Sequence, residues 1–126
     1  MNVALWIAAG VLAAVALAGG FTKSVLPVRK LAAAHGGEWA GDAPGGLVRT
    51  LGVLEILAAI GLILPALTGI APVLVPVTAV CWIALMIGAM VTHLRYAGGA
   101  RFALLNLTYL AIAAFLALGR FGFEPF

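Results

Sequence analysis

The chain has 126 residues, of which 65% are hydrophobic and 9% are charged, with a formal net charge of +3 and a mean hydropathy of +1.22. A chain of this composition has too few polar groups to cover a compact surface in water, which excludes a water-soluble domain. We therefore expect its solvent to be a lipid bilayer.

Long apolar runs predict four membrane-spanning helices, because about 20 apolar residues in a helix cross the hydrocarbon core. The second of these runs is interrupted only by Arg49 and Glu55. The first run lacks a basic segment before it and a clear cleavage site after it, so we expect a span and not a signal peptide. The prolines and the glycine of PALTGIAP, residues 65–72, predict a tight turn between the second and third spans. The predicted spans are residues 3–21, 47–64, 70–91 and 101–118.

Four spanning helices must pack together, because lipid offers no hydrogen-bond partner to an exposed backbone. Small residues at helical spacing are typical of helix contacts in membranes. Two such stripes, which we expect to pack on neighbouring helices, are Gly52 with Ala59 and Ala84 with Gly88 and Thr92. The sequence thus predicts an all-α membrane protein, a single four-transmembrane-helix bundle over residues 1–126.

The longest segment outside the predicted spans, residues 23–46, is where the chain meets water. Its first part, SVLPVRKLAAAH, places Val28, Leu31 and His35 at helical spacing beside two basic residues, as in a helix lying on a membrane surface. Its second part, GGEWAGDAPGG, is rich in turn-forming residues, and Trp39 is a predicted interfacial anchor. We predict a polar first loop carrying a short interfacial helix, with a solvated linker as the alternative.

Basic side chains are divided unevenly between the two sides of the predicted bundle. One of the seven, Arg120, lies on the side of the chain termini. The other six lie in or beside the first and third loops: Lys23, Arg29, Lys30, Arg49, Arg95 and Arg101. The positive-inside rule then predicts a cell-membrane protein with its first and third loops in the cytoplasm. This charge favours anionic lipid as a partner over nucleic acid.

One carboxylate, Glu55, lies in the middle of the second predicted span, roughly 12 Å from its start at Leu47. A charged side chain within lipid is costly, so it faces the bundle interior or a wet cavity and has a partner. Antiparallel threading places four more polar residues in the same half of the bundle: Lys23, Arg49, His93 and Asn106. We predict that these five residues form a polar cavity that binds a ligand head group.

Each of these residues also has a purely structural interpretation. Glu55 is alternatively a neutral buried side chain hydrogen-bonded to Asn106 or to a backbone carbonyl. His93 is alternatively an interfacial histidine, and Asn106 a polar contact between helices. A direct pair between Arg49 and Glu55 is not expected, because residues six apart lie about 120° from each other on a helix.

Other kinds of chemistry have no signature in the sequence. The single cysteine, Cys81, rules out an intramolecular disulfide and a CxxC redox pair. The two histidines have no cysteine or carboxylate at metal-ligand spacing, and no glycine motif for phosphate binding occurs. We therefore expect no catalytic residue, no metal and no resident cofactor; a quinone enters only as a bound ligand.

Three strings, GVLEILAAIGLILPALTGIAP at 52–72, THLR at 92–95 and GRFG at 119–122, resemble the DoxX-like family of small membrane proteins. The resemblance implies a four-helix bundle with a polar site at Lys23, Glu55, His93 and Asn106. The family takes its name from a subunit associated with a thiosulfate:quinone oxidoreductase. It is also similar to eukaryotic membrane chaperones for ligand-gated channels, so the resemblance implies an accessory role.

Three functions are compatible with these features. The first is an accessory or binding protein whose cavity holds a lipophilic ligand, a quinone or a lipid, or a partner helix. The second is the membrane subunit of a quinone-linked oxidoreductase, which needs a catalytic partner. The third is a small proton-coupled exporter of lipophilic cations, although such exporters carry their glutamate in span one. Expected partners are the bilayer, a lipophilic small molecule or a membrane protein, including further copies of this chain.

Overall fold

A computed structural model describes all 126 residues as four long helices and two short ones, without strands. The four long helices are long and apolar enough to cross a membrane. The predicted fold class, an all-α membrane bundle with a helix in its first loop, is confirmed. The helices are α1 (Asn2–Val25), α2 (Val28–Ala33), α3 (Trp39–Asp42), α4 (Leu47–Thr68), α5 (Leu74–Leu94) and α6 (Ala100–Leu118), which a π-helical turn continues over Gly119–Phe123.

The turn between α4 and α5 lies later in the chain than the sequence predicted. The helix α4 continues through Pro65 to Thr68, because a proline removes a single backbone hydrogen bond, which packed membrane helices tolerate. Gly69, with a φ of 73°, ends the helix in the left-handed conformation. The turn then includes Ala71, and α5 begins at Leu74, four residues later than expected.

The long helices run antiparallel, which gives the bundle two distinct ends. The loop end is formed by the first loop, residues 26–46, and the third loop, residues 95–99. The turn end is formed by both chain termini and the turn at 69–73.

Backbone contact joins α1 to α4 at a pair of glycines. A Cβ built on Gly20 would lie 2.8 Å from the carbonyl oxygen of Gly52, and one on Gly52 would lie 3.0 Å from that of Gly20. A side chain at either position would push the two backbones apart. The predicted stripe of Gly52 and Ala59 is therefore a packing face, and both residues are buried.

The apolar core occupies the half of the bundle nearer the turn end. Its largest fully buried side chains include Leu5, Leu12, Leu62, Trp82 and Leu116, which come from all four long helices. Side chains of this size interdigitate and leave little empty space between the helices. This half of the bundle supplies most of the apolar packing that holds the four helices together.

The C-terminal residues fold over the turn end. The guanidinium of Arg120 lies 3.9 Å from the ring centroid of Phe126 and donates a hydrogen bond to the carbonyl of Glu124. The ring of Phe126 in turn meets Trp6 edge-on. This basic residue is therefore occupied by contacts within the chain's own C-terminal segment.

The predicted small-residue stripe on α5 is not a helix contact, so that prediction was wrong. Ala84 and Gly88 are exposed, and a Cβ built on Gly88 would have no neighbour within 4 Å. Near the turn end, by contrast, α4 and α5 touch where Gly61 meets Thr78. Toward the loop end, the space beside the stripe is a cavity.

Candidate functional site

The first loop covers the loop end of the bundle and is tied to the third loop. The hydroxyl of Tyr96 donates a hydrogen bond of 2.6 Å to Oδ2 of Asp42. Gly36, with a φ of 81°, lies against the ring of Phe102, where a Cβ would come within 2.7 Å of the ring. Only glycine suits this combination of conformation and contact.

The tie between the two loops holds at physiological pH. The hydrogen bond from Tyr96 to the Asp42 carboxylate raises the pKa of the tyrosine above its ordinary value. Because the pKa is raised, the protonated, hydrogen-bonded tyrosine stabilises the folded protein at every pH below the ordinary pKa of tyrosine. This stabilisation is lost as the pH rises through the raised pKa. The tie is therefore intact at neutral pH.

A cavity of about 520 Å³ lies between α4, α5 and the first loop. This volume lies within the range of about 300–1,000 Å³ that is usual for cavities that bind small molecules. Its apolar wall includes Leu31, Leu51, Leu85 and Met86, with Trp39 from α3. Its polar wall includes Thr22 and four of the five predicted site residues: Lys23, Glu55, His93 and Asn106.

An ion pair between Lys23 and Glu55 forms the centre of the polar wall. The Nζ atom of Lys23 donates to both carboxylate oxygens, at 2.9 Å from Oε2 and 3.2 Å from Oε1. Glu55 is 7% exposed. The pair rests on Gly19, where a Cβ would lie 3.4 Å from both Nζ and Oε2. The partner of Glu55 is thus Lys23, and neither Asn106 nor a backbone carbonyl bonds to it.

The direction of the two side chains explains why they meet. In a helix the Cα–Cβ bond tilts toward the N-terminus. The N-terminus of α1 is at the turn end, so Lys23 extends from the loop end into the bundle, while Glu55 extends from mid-span toward the loop end. A lysine near the end of a span ordinarily extends to the membrane surface. Lys23 is turned inward because Glu55 is within reach.

Arg49, the fifth predicted site residue, does not line the cavity. Its Nη1 atom donates to the carbonyl oxygens of Lys23 at 2.7 Å and Leu26 at 2.6 Å. The carbonyl of Lys23 lacks its intrahelical donor because Pro27 has no N–H group. Arg49 therefore caps α1 and fixes the point where the first loop leaves the helix.

His93 and Asn106 complete the polar wall without binding to the ion pair. The ring of His93 stacks on Phe102, with 5.4 Å between centroids. The Nδ2 atom of Asn106 is buried and has no hydrogen-bond partner. No group of three or more His, Cys, Asp or Glu side chains lies close enough to bind a metal ion.

Several cavity residues were not predicted from the sequence. Leu31, Trp39 and Ala40 reach the cavity because the first loop folds back over the bundle. Ala84 and Gly88 reach it because the stripe on α5 borders empty space. The spacing of that stripe was visible in the sequence, but it is the same for a packed face and for a cavity wall.

A family model described as the DoxX-like family matches residues 7–116. The chain belongs to the DoxX-like family. The match extends across all four spanning helices, so it confirms the resemblance seen in the sequence and a multi-pass membrane protein. No curated protein and no solved structure matches the chain.

We predict that Lys23 and Glu55 of this DoxX-like protein depend on each other for stability. Removing either partner leaves the other charge buried alone, which typically costs about 3–5 kcal/mol. We expect Lys23→Met and Glu55→Met each to lower the free energy of unfolding by about this amount. The double variant should recover most of the lost free energy. Titration of the purified protein with SDS in mixed micelles measures these values.

Lys30→Met is the matched control, because Lys30 is an exposed lysine on α2 without a salt bridge. The Lys30→Met substitution should change the free energy of unfolding by no more than about 0.5 kcal/mol. If the losses of the two single variants simply add in the double variant, the two residues are not coupled and the pairing is contradicted.

Proposed function

We propose that this protein is an accessory or binding protein of the cell membrane whose cavity holds a lipophilic ligand, a quinone or a lipid. The observation that carries the proposal is the buried Lys23–Glu55 pair, set in the wall of a 520 Å³ cavity that is otherwise mainly apolar. An amphiphilic molecule has this same division, with a polar head and an apolar body. Pockets that bind small molecules typically combine apolar walls with a few placed polar groups.

The ion pair favours an uncharged head group. It offers a hydrogen-bond donor and an acceptor side by side, with charges that cancel. A carbonyl or hydroxyl group of a ligand can bind there without leaving a charge unpaired in a medium of low dielectric. A lipophilic cation would have to compete with Lys23 for Glu55, which disfavours the exporter interpretation.

The size of the cavity favours a small molecule over a partner helix. A helix is about 10 Å across with a pitch of 5.4 Å, so a volume of 520 Å³ accommodates little more than one turn. A membrane subunit of a quinone-linked oxidoreductase would use the cavity in the same way. It differs in needing a catalytic partner chain.

We predict that a specific organic compound co-purifies with the protein and depends on the cavity. Mass spectrometry of organic extracts should show it in the wild type. Leu51→Trp, which fills the cavity, and Glu55→Gln, which removes the ion pair, should each reduce it about tenfold, equivalent to about 1.4 kcal/mol of binding.

Leu54→Trp is the matched control, since Leu54 is an exposed residue of α4 outside the cavity lining. Its extract should match that of the wild type. Identical lipid extracts from all four proteins would contradict the proposed binding function.

We also propose that the loop end faces the cytoplasm. The two loops lie at this end and are tied together by the hydrogen bond between Tyr96 and Asp42. Exposed basic residues lie in the loops, at Arg29, Lys30 and Arg95, and at the start of α6, at Arg101. The positive-inside rule places such loops in the cytoplasm. The turn end, where the guanidinium of Arg120 lies against the ring of Phe126, then faces the outside of the cell.

This orientation predicts the labelling of single cysteines in a Cys81→Ala background. Cysteines replacing the exposed Ala33 and Ala97 should resist an impermeant thiol reagent in intact cells and react after lysis. A cysteine replacing Gly122, exposed at the turn end with open space around it, should react in intact cells. The reverse pattern would invert the proposed orientation.

A further inference from the structure

The cavity has an opening in its side wall, on α5. Ala84 and Gly88 both line the cavity and are exposed. A residue with both properties lies at the rim of an opening. A Cβ built on Gly88 would meet no atom within 4 Å, so the space beside this glycine is empty.

The opening lies at the depth of the hydrocarbon core. Gly88 is six residues from the end of α5 at Leu94, and Ala84 is ten, which places them roughly 9 and 15 Å from the loop end. Glu55 lies roughly 12 Å from the start of α4. The hydrocarbon core is about 30 Å thick, so the opening faces lipid beside the ion pair.

The first loop covers only part of the end of the cavity that faces water. The first loop contributes Leu31, Trp39 and the fully packed Ala40 to the lining at this end. The hydrogen bond of Tyr96 to Asp42 holds the loop to the bundle.

Ala34, His35 and Leu47 also line the cavity and are exposed, so a second opening lies at this end, toward the membrane surface. A lipophilic ligand is dissolved in the bilayer, so the opening on α5 is the one that it meets first.

We propose that the ligand enters the cavity sideways from the bilayer, past Ala84 and Gly88, and that Gly88 keeps this route open. The inference rests on the proposed binding function and narrows the ligand to molecules dissolved in the membrane. Such a molecule slides its head group between α4 and α5 to the Lys23–Glu55 pair, while its apolar body remains in contact with lipid.

A cysteine reporter inside the cavity tests the route without knowledge of the ligand. Leu51→Cys places a thiol in the lining, and Cys81→Ala removes the native one. The protein in lipid vesicles is treated with N-phenylmaleimide, which dissolves in the bilayer, or with its ring-sulfonated analogue, which does not. We expect the apolar reagent to label the reporter faster than the sulfonated one.

A leucine at position 88 should obstruct the opening. In the reporter background, Gly88→Leu should slow labelling by N-phenylmaleimide about tenfold, which corresponds to about 1.4 kcal/mol of added barrier. Ala84→Leu, at the other rim residue, should slow it in the same direction. Gly10→Leu is the matched control, because Gly10 is also an exposed helical glycine with open space around it but lies outside the cavity.

Three outcomes would overturn the lateral route. They are unchanged labelling rates in both Gly88→Leu and Ala84→Leu, faster labelling by the sulfonated reagent, and a reporter that reacts with neither reagent. These outcomes concern the route alone. The proposed binding function fails separately, when the wild-type protein carries no specific compound in its organic extract.

Discussion

The ion pair between Lys23 and Glu55 is the interaction on which the loop end of the bundle depends. Two charges within lipid are tolerated when they pair with each other, and here they pair across the close packing of α1 against α4. The crossing of Gly20 and Gly52 provides that closeness, since it brings the backbones of α1 and α4 together. Arg49 then caps α1 where the first loop leaves it.

The two halves of the bundle have different roles. In the half near the turn end, large apolar side chains such as Leu12 and Trp82 fill the space between helices and supply stability. In the half near the loop end, α5 presents small residues and α4 presents a carboxylate, so the helices do not close on each other. The packed half thus acts as the support for an open, polar half that contains the cavity.

The fold and much of the candidate site could be predicted because the bilayer constrains a chain so strongly. Long apolar runs locate the spans, and antiparallel threading gives the depth of each polar residue. Depth says nothing about which side of a helix a residue faces. Arg49 caps α1 because Pro27 lacks an N–H group. The helix α4 continues past Pro65 because of the packing around that residue. Ala84 and Gly88 are exposed because of the spacing between the helices.

The central claim is that Lys23 turns away from the membrane surface to pair with Glu55 inside the bundle. Solid-state NMR of the protein in lipid bilayers, with ¹⁵N at the lysine Nζ and ¹³C at the glutamate carboxylate, measures this directly. We expect a strong dipolar coupling, in keeping with separations of 2.9 and 3.2 Å between Nζ and the carboxylate oxygens. A lysine Nζ in contact with bulk water and uncoupled from the carboxylate would contradict the pairing and, with it, the polar wall of the cavity.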